Sequence, residues 1–363
     1  MTAIFRGLLV VLGAWVVSGT ALNLSRHPHW YVRGWDFPRL VIAGLGLLAA
    51  VPYAAVFGAG TWYDRAFLGA VALAVAWQVS NVLPYTPLWR RAVKPARRPS
   101  PETTFRLVVS NVLIENTQHE RWLGVVTAEE PDVILALEVD GRWERALRGL
   151  ERSHPHVMRQ ALDNAYGMAL FSRLPLFDGR VEYLVEPGIP SMHVELELHG
   201  GTRVAMHGVH PRPPEPKHGQ DSRPRDAELQ KLAQRIAARR SMPTVVAGDL
   251  NDVAWSFTTH LFLRESGLLD PRLGRGLFNT FNANSRVFRF PLDHVFHSSH
   301  FKLVELRRLE HVGSDHFPVL VELSYEPEAQ AEQSEPRPSA SDDRESERMI
   351  AEGNGRAGAP AGE

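Results

Sequence analysis

The stretch HVGSDHFPVL (311–320) places Asp315 and His316 directly before the strand-like run FPVLVEL. An acid and an imidazole at the start of a strand can bind a metal ion or transfer a proton near neutral pH. Ser-Asp is also common turn chemistry, and a solvated His beside it needs no function. The other polar residues of the chain bear on the choice between these two interpretations.

Six further polar residues lie at the ends of apolar, strand-like runs or within a short one: Asn111, Glu138, His210, Asp249, Asn251 and Asp293. Layered folds hold ligand residues at strand ends and loops, where the sheet positions them rigidly. Each residue alone is explained as well by a turn or cap, but the shared placement favours one common site. Carboxylate and amide oxygens suit Mg²⁺ or Mn²⁺.

Strand and helix signals alternate between residues 105 and 325. Strands are predicted at 105–111, 132–139, 167–173, 192–199, 203–210, 244–251, 292–298 and 317–323, and helices at 119–130, 142–151, 225–240 and 254–266. DVILALEV (132–139) is almost entirely apolar, which indicates a strand covered on both faces. The pattern predicts a mixed α/β sandwich with two sheets inside and helices outside.

Three runs near the N-terminus contain no Asp, Glu, Lys or Arg: 7–25, 40–63 and 66–89. A membrane span needs about 20 mainly apolar residues, and each run is long enough. Trp and Tyr residues near the run ends and in the loops are typical of the membrane–water interface. We therefore predict an integral membrane protein with three transmembrane helices. Buried helices of a soluble protein, or a cleaved signal peptide for the first run, are the alternatives.

Basic residues are distributed unequally across these spans. With three spans, the loop 26–39 shares a side with everything after residue 90, and that side carries three Arg and then five Lys or Arg between 90 and 98. The opposite side carries only Arg6 and Arg65 besides the N-terminal amine. The positive-inside rule thus favours a cytoplasmic C-terminal domain, although a miscounted or cleaved first segment would reverse the assignment.

Composition divides the chain into a membrane domain (1–93), a basic, Pro-rich linker (94–104), the α/β domain (105–325) and a tail (326–363). The tail is rich in Glu, Ser, Pro, Ala and Gly with few large apolar residues, which predicts disorder. The whole chain has 40 Lys and Arg against 41 Asp and Glu, and no Cys. Neither a global attraction to nucleic acid nor a thiolate site is expected.

Seven segments occur in the order used by one known family: VVSNV, ALEV, GMALFSR, VHPRPP, VVAGDLND, PLDHVF and GSDHFPVLVEL. They resemble the endonuclease/exonuclease/phosphatase family, the DNase I-like metal-dependent phosphohydrolases, over 105–325. This resemblance implies a four-layer α-β-β-α sandwich. With three predicted spans ahead of it, the chain looks like the bacterial membrane-bound branch, which implies a multi-pass protein of the bacterial plasma membrane. Leu137 stands where the family usually has Gln.

The resemblance implies a site for Mg²⁺ or Mn²⁺. Glu138 matches the principal metal ligand of the family, Asn111 lies beside it, and Asp315 completes or supports the site.

The resemblance also implies catalytic roles. His316 matches the catalytic imidazole and Asp293 its orienting carboxylate. Asp249 matches the residue that positions or deprotonates the attacking water, and Asn251 the amide that holds a phosphoryl oxygen. His210 matches a second His that some members place against the phosphate or the leaving group.

The expected activity is metal- and His-assisted hydrolysis of a phosphate mono- or diester. Residues 101–325 contain 26 Lys and Arg against 29 Asp and Glu, so their charge does not favour a nucleic-acid substrate. A membrane anchor makes a lipid-linked phosphate an attractive candidate, and the polar loop 211–225 is the candidate substrate-facing element. A membrane-tethered nuclease and a non-catalytic binding protein on the same fold are the alternatives.

Overall fold

The computed structural model describes residues 1–214 and 221–357. The chain forms two compact units, Met1–Trp89 with Pro214–Ser222, and Arg90–Pro213 with Arg223–Glu363.

The first unit is helical. It contains α1 (Thr2–Leu24), α2 (Trp30–Arg33), α3 (Arg39–Phe57) and α4 (Trp62–Val82), with 3-10 turns at Gly34–Asp36 and Leu83–Tyr85. Three segments are long and apolar enough to cross a membrane: Thr2–Leu24, Arg39–Phe57 and Trp62–Tyr85. The three long apolar helices predicted from the charge-free runs are therefore present.

Small and paired residues allow these helices to pack closely. Gly46 on α3 faces α4 so closely that a Cβ atom there would lie 2.5 Å from Val75. Asp64, which forms a capping box with Thr61 at the start of α4, accepts a hydrogen bond from Arg6 of α1 at 2.6 Å. Pairing of this kind lowers the cost of placing charged side chains near an apolar bundle.

The second unit contains two sheets and the helices that cover them. Its strands are β1 (Thr104–Asn111), β2 (Val133–Leu137), β3 (His156–Gln160), β4 (Met168–Ser172), β5 (Leu176–Glu182), β6 (Ser191–Glu197), β7 (Arg203–Val209), β8 (Thr244–Asp249), β9 (Asp293–His297), β10 (Phe301–Arg308) and β11 (Val319–Tyr325). Its helices are α5 (His119–Thr127), α6 (Gly141–Leu147, followed by a 3-10 turn at Arg148–Arg152), α7 (Arg223–Ala237), α8 (Phe257–Ser266), α9 (Ala329–Glu332) and α10 (Ala340–Ala357).

The first sheet has the strand order β10-β11-β1-β2-β4-β3, and the second β5-β6-β7-β8-β9. Two strand pairs are parallel, β1 with β2 and β7 with β8. The carboxyl ends of the strands in each pair therefore meet at one edge of their sheet, which brings the polar residues after them together.

Three apolar clusters define the layers. The central core lies between the sheets and includes Leu107, Leu135 and Val245. A second cluster packs Trp122 of α5 and Trp143 of α6 on the first sheet, and a third packs α7 and α8 on the second sheet. The second unit is thus the four-layer α-β-β-α sandwich that the resemblance implies.

The segment after residue 326 differs from the predicted disorder. Helix α10 packs against α7 and α8, and Arg264 of α8 donates two hydrogen bonds to Asp342 at 2.8 and 3.1 Å. Its buried positions, Ser346, Met349 and Gly353, lie at helical spacing but contain only one large apolar residue. Composition missed this helix because small residues create its contact surface; a Cβ atom at Gly353 would lie 2.3 Å from the Cβ of Ala227 on α7.

The predicted linker is also more closely packed than a free connector. Pro95 forms an isolated parallel bridge with Leu303 of β10, and Leu303 donates its backbone N–H to the Lys94 carbonyl at 3.0 Å. Residues 94–96 therefore continue the first sheet beyond its edge strand.

Candidate active site

Asn111 joins the two sheets at the edge where β1, β2 and β8 end. Its Nδ2 donates to Oε1 of Glu138 at 2.8 Å and to Oδ2 of Asp249 at 3.2 Å. Glu138 directly follows β2, the parallel neighbour of β1, whereas Asp249 ends β8 in the opposite sheet. The parallel pairing within the first sheet and the packing of the two sheets bring these three side chains together.

Glu138 is held in a left-handed backbone conformation, with φ at 64°. Its second carboxylate oxygen accepts the backbone N–H of Ile114 at 3.1 Å. Burial raises the pKa of the Glu138 carboxyl to about 7, although the bonds from Asn111 and Ile114 favour the ionised form. The group can therefore gain or lose a proton near neutrality.

Asp249 is buried at the centre of the site. Burial raises its pKa, while His316 and His210 oppose that shift. The backbone just before it requires glycine, because φ at Gly248 is 149° and a Cβ there would lie 1.8 Å from the Val209 carbonyl oxygen. This close crossing of β7 and β8 places His210 near Asp249, with 3.8 Å between His210 Nε2 and Asp249 Oδ2.

Asn251 and His210 lie beside Asp249. The backbone N–H of Asn251 donates to Asp249 Oδ1 at 2.9 Å, and its side-chain Nδ2 donates to the Pro211 carbonyl at 3.0 Å. Burial lowers the pKa of His210, so this imidazole is neutral near pH 7. Its Nδ1 atom has no hydrogen-bond partner among the described residues.

His316 and Asp293 form a buried pair from opposite sheets. His316 Nδ1 lies 2.7 Å from Asp293 Oδ2, and His316 Nε2 lies 3.5 Å from Asp249 Oδ2. Burial alone would lower the pKa of His316, but Asp293 and Asp249 together raise it to about 10. The imidazole is therefore protonated near neutral pH, with its Nε2–H directed toward Asp249.

The carboxyl groups of the site fit a hard divalent cation. Burial raises the pKa of Asp315 as it does those of Glu138 and Asp249. The Oδ1 atoms of Asp293 and Asp315 are buried with no hydrogen-bond partner in the described part of the chain. An unpartnered buried oxygen costs about 1–3 kcal/mol, and a cation among these groups would relieve both that cost and their mutual repulsion.

Ligand atoms of Asp249, Asp293 and His316 also lie within 4.8 Å of one another. An imidazole binds a metal ion through an unprotonated nitrogen, however, and in His316 the Nδ1 atom is already engaged by Asp293 while Nε2 lies beside Asp249. Glu138 and Asp315 are therefore better ligand candidates than His316. The amide of Asn111 turns its nitrogen toward Glu138, so direct ligation by Asn111 would require its oxygen to face the cation.

The sequence-predicted site residues are thus connected by direct contacts, apart from Asp315, which adjoins His316 in the chain. Three supporting residues were not predicted. Arg225 is fully buried, pairs with Asp252 at 3.0 Å and donates to the Asn251 carbonyl at 2.7 Å. Thr280 Oγ1 accepts the Asp293 backbone N–H at 3.2 Å, and the Phe281 ring centroid lies 5.0 Å from that of His316. Of the proposed substrate loop, residues 215–220 lie outside the described residues.

The family comparison agrees with this fold. Residues 110–316 match the model of the Endonuclease/Exonuclease/phosphatase family. The chain therefore belongs to that family and has its hydrolase fold. None of the curated proteins matches the chain.

Solved structures with the same fold share little sequence with it. A crystal structure of D. rerio TDP2 complexed with single strand DNA product superposes with a TM-score of 0.52 at 16% identity, covering 61% of this chain and 99% of the other. The structure of the human Nocturnin catalytic domain with bound sulfate anion has a TM-score of 0.50 at 17% identity, covering 61% of this chain and 95% of the other. The structure of a functionally unknown conserved protein from Enterococcus faecalis has a TM-score of 0.50 at 15% identity, covering 61% of this chain and 100% of the other.

Proposed function

We propose that this protein is a membrane-anchored, divalent-metal-dependent phosphohydrolase that cleaves a phosphate mono- or diester by attack of water. The observation that carries the proposal is the continuous set of contacts from Asp293 through His316, Asp249 and Asn111 to Glu138. This arrangement combines a protonated imidazole with carboxylates in a buried, strand-end site. Phosphate esters resist hydrolysis because they are anionic, so catalysis must neutralise charge and position water.

His316 supplies the positive charge. Its Nε2–H would donate to a phosphoryl oxygen or to the leaving group, while Asp293 holds Nδ1 and fixes the orientation of the ring. Asp249 Oδ2 lies 3.5 Å from His316 Nε2, beside the place where the imidazole would hold the phosphate. From there Asp249 would orient the attacking water and accept its proton. Asn251 would hold a phosphoryl oxygen with the N–H of its side-chain amide that is not bonded to Pro211, and His210 would contact the phosphate or the leaving group.

Glu138 and Asp315, with Asn111, would hold Mg²⁺ or Mn²⁺. Bound there, the cation would neutralise phosphate charge and lower the pKa of a water ligand. Glu138 must be ionised to bind it, and a carboxyl with a pKa of about 7 makes that binding sensitive to pH.

The three long apolar helices support an integral membrane protein, and the excess of basic residues after the third run supports a catalytic domain on the cytoplasmic side of a bacterial plasma membrane. An enzyme anchored in this way has continuous access to lipid-linked phosphate esters, which we propose as its substrate class.

A nuclease is the second candidate. The D. rerio TDP2 structure with its single strand DNA product supports it by likeness of fold. The excess of acidic over basic residues between 101 and 325 opposes it, because nucleic-acid binding relies on Lys and Arg contacts to the phosphate backbone.

The full-length protein in detergent micelles should hydrolyse bis(p-nitrophenyl) phosphate with Mg²⁺ and lose that activity in a chelator. His316→Ala should remove most of the activity, and His199→Ala, a change at an exposed turn, should leave it intact. Parallel assays with a lipid phosphate, an inositol phosphate and single-stranded DNA would separate the candidates. Absence of metal-dependent hydrolysis of every ester would favour a non-catalytic binding protein.

A further inference from the structure

A polar surface cavity of about 480 Å³ lies within the catalytic unit, and none of the Glu138–His316 site residues is among its described lining. Four arginines line it, Arg286, Arg289, Arg307 and Arg308, and no acidic residue is among its described lining. A cavity of this composition is suited to an anion.

Only one of the four arginines is neutralised by carboxylates. Arg307 forms ion pairs with Glu129 and Glu305. Arg308 donates instead to the Asn279 carbonyl at 2.7 Å, and Arg289 to the carbonyls of Ser285 and Ala283. Within residues 1–214 and 221–357, no ion pair joins a carboxylate to Arg286, Arg289 or Arg308. The cavity therefore carries uncompensated positive charge.

The arginines of this cavity contact segments that adjoin the candidate catalytic site. The guanidinium groups of Arg289 and Arg308 lie over the ring of Phe317, at 5.0 and 4.2 Å from its centroid, and Phe317 directly follows His316. The segment that carries Arg286 and Arg289 also supplies Ala283, whose N–H donates to the Asp315 carbonyl at 2.6 Å. The same segment places Phe281 against His316. The cavity and the candidate catalytic site are therefore built partly on the same two segments, 281–289 and 315–317.

We propose that Arg286, Arg289 and Arg308 form an anion subsite that binds a second phosphate group of the substrate. The assignment rests on the proposed function and narrows it: the preferred substrate carries at least one phosphate besides the one that is cleaved. Guanidinium groups suit this role because their planar donors bind phosphate oxygens in pairs and they stay charged at any physiological pH.

Two chromogenic esters that differ by one phosphate test the proposal: thymidine 5′-(p-nitrophenyl phosphate) and the same compound phosphorylated at O3′. The full-length protein should show a kcat/KM about 10-fold or more higher for the second ester, the range expected for hydrogen bonds to a charged group. Arg289→Gln/Arg308→Gln should abolish this preference, so that the two esters have equal kcat/KM. Arg307→Gln is the control for loss of one positive charge from the same cavity, at an arginine that is already paired with Glu129 and Glu305.

Binding of inorganic pyrophosphate, measured by calorimetry on the full-length protein in a chelator, makes the test independent of turnover. The double variant should weaken binding by about 10-fold or more, and Arg289→Lys/Arg308→Lys should recover part of it because the charge is kept. Competition by inositol trisphosphate and by oligothymidylate then distinguishes a small polyphosphorylated ligand from a nucleic-acid backbone as the source of the second phosphate.

Equal pyrophosphate affinity in the wild type and the double variant, or an equal loss in Arg307→Gln, would overturn the subsite. Pyrophosphate binding that depends on Arg289 and Arg308 in a protein that hydrolyses no ester would instead keep the subsite and reject the proposed function.

Discussion

His316 and Asp293 come from opposite sheets, yet their Nδ1 and Oδ2 atoms lie 2.7 Å apart in the interior of the sandwich. Asp293 begins β9 of the second sheet, and His316 lies just before β11 of the first. The pair therefore forms only when the two sheets are packed in their correct relative position.

The two residues should act as a unit. His316→Ala should lower turnover by about 100-fold or more, the usual scale for a general acid–base group. Asp293→Asn should cost less, because the ring remains while its tautomer and orientation are no longer fixed. The double variant should be little worse than His316→Ala, measured as turnover per folded molecule. Full additivity of the two losses would argue against the pair.

Glu138→Gln should raise the Mg²⁺ concentration needed for half-maximal activity, because a neutral amide replaces a ligand carboxylate. Glu310→Gln, an exposed change outside the site, is the control. Overlapping Mg²⁺ titrations for wild type and Glu138→Gln would show that Glu138 is not a ligand.

Stability of the metal-free protein should depend on pH through Glu138. Folding raises the pKa of this carboxyl from about 4.5 to about 7. Between these values the folded state keeps a proton that the unfolded state has lost, so stability falls as pH rises through this window. The melting temperature of Glu138→Gln should fall less than that of wild type between pH 4.5 and 7. Added Mg²⁺ should stabilise wild type most above pH 7, and parallel melting curves for the two proteins would contradict the assignment.

Deletion of residues 340–363 should lower the melting temperature, because α10 covers α7 and α8. Asp342→Asn should reproduce part of the loss. Its ion pair with Arg264 lowers the pKa of Asp342 to about 2, so the contribution is present above pH 4 and lost as pH falls toward 2. Asp343→Asn, a change at the next residue, is the control and should leave the melting temperature nearly unchanged. An unchanged melting temperature in the truncated protein would support the prediction that the tail is disordered.

Extraction from membranes should require detergent, since three helices are long and apolar enough to span. Alkaline carbonate should leave the full-length chain in the membrane pellet. Release of the chain by carbonate would indicate that these helices pack within a water-soluble or peripheral protein.

The sequence predicted the buried strands and missed three strands with exposed faces. The missed strands, β3, β5 and β10, all lie at sheet edges, and charged or polar residues together with Gly make up at least half of each. Strand β9 is also at an edge but is entirely buried, and its apolar run was recognised. Edge strands lack the continuous apolar signal because one side faces water.

The clustering of the candidate site residues could be predicted because they lie at or near the ends of buried strands, where a polar side chain is conspicuous. Arg225 could not be predicted as a supporting residue, because it lies in the first turn of a helix rich in charged residues. Its burial against Asp252 depends on tertiary packing. Thr280 and Phe281 lie in a segment with no regular element, so only the fold shows that they support Asp293 and His316.

The left-handed backbone at Glu138 has an evolutionary consequence. Its φ of 64° costs a residue with a Cβ about 1–2 kcal/mol, a cost that glycine would avoid. In a copy released from selection for activity but still selected for a stable fold, glycine at position 138 would relieve this backbone cost, and the resulting protein would lack the proposed metal ligand. Retention of glutamate at this position would mark lineages in which the chemistry is still under selection.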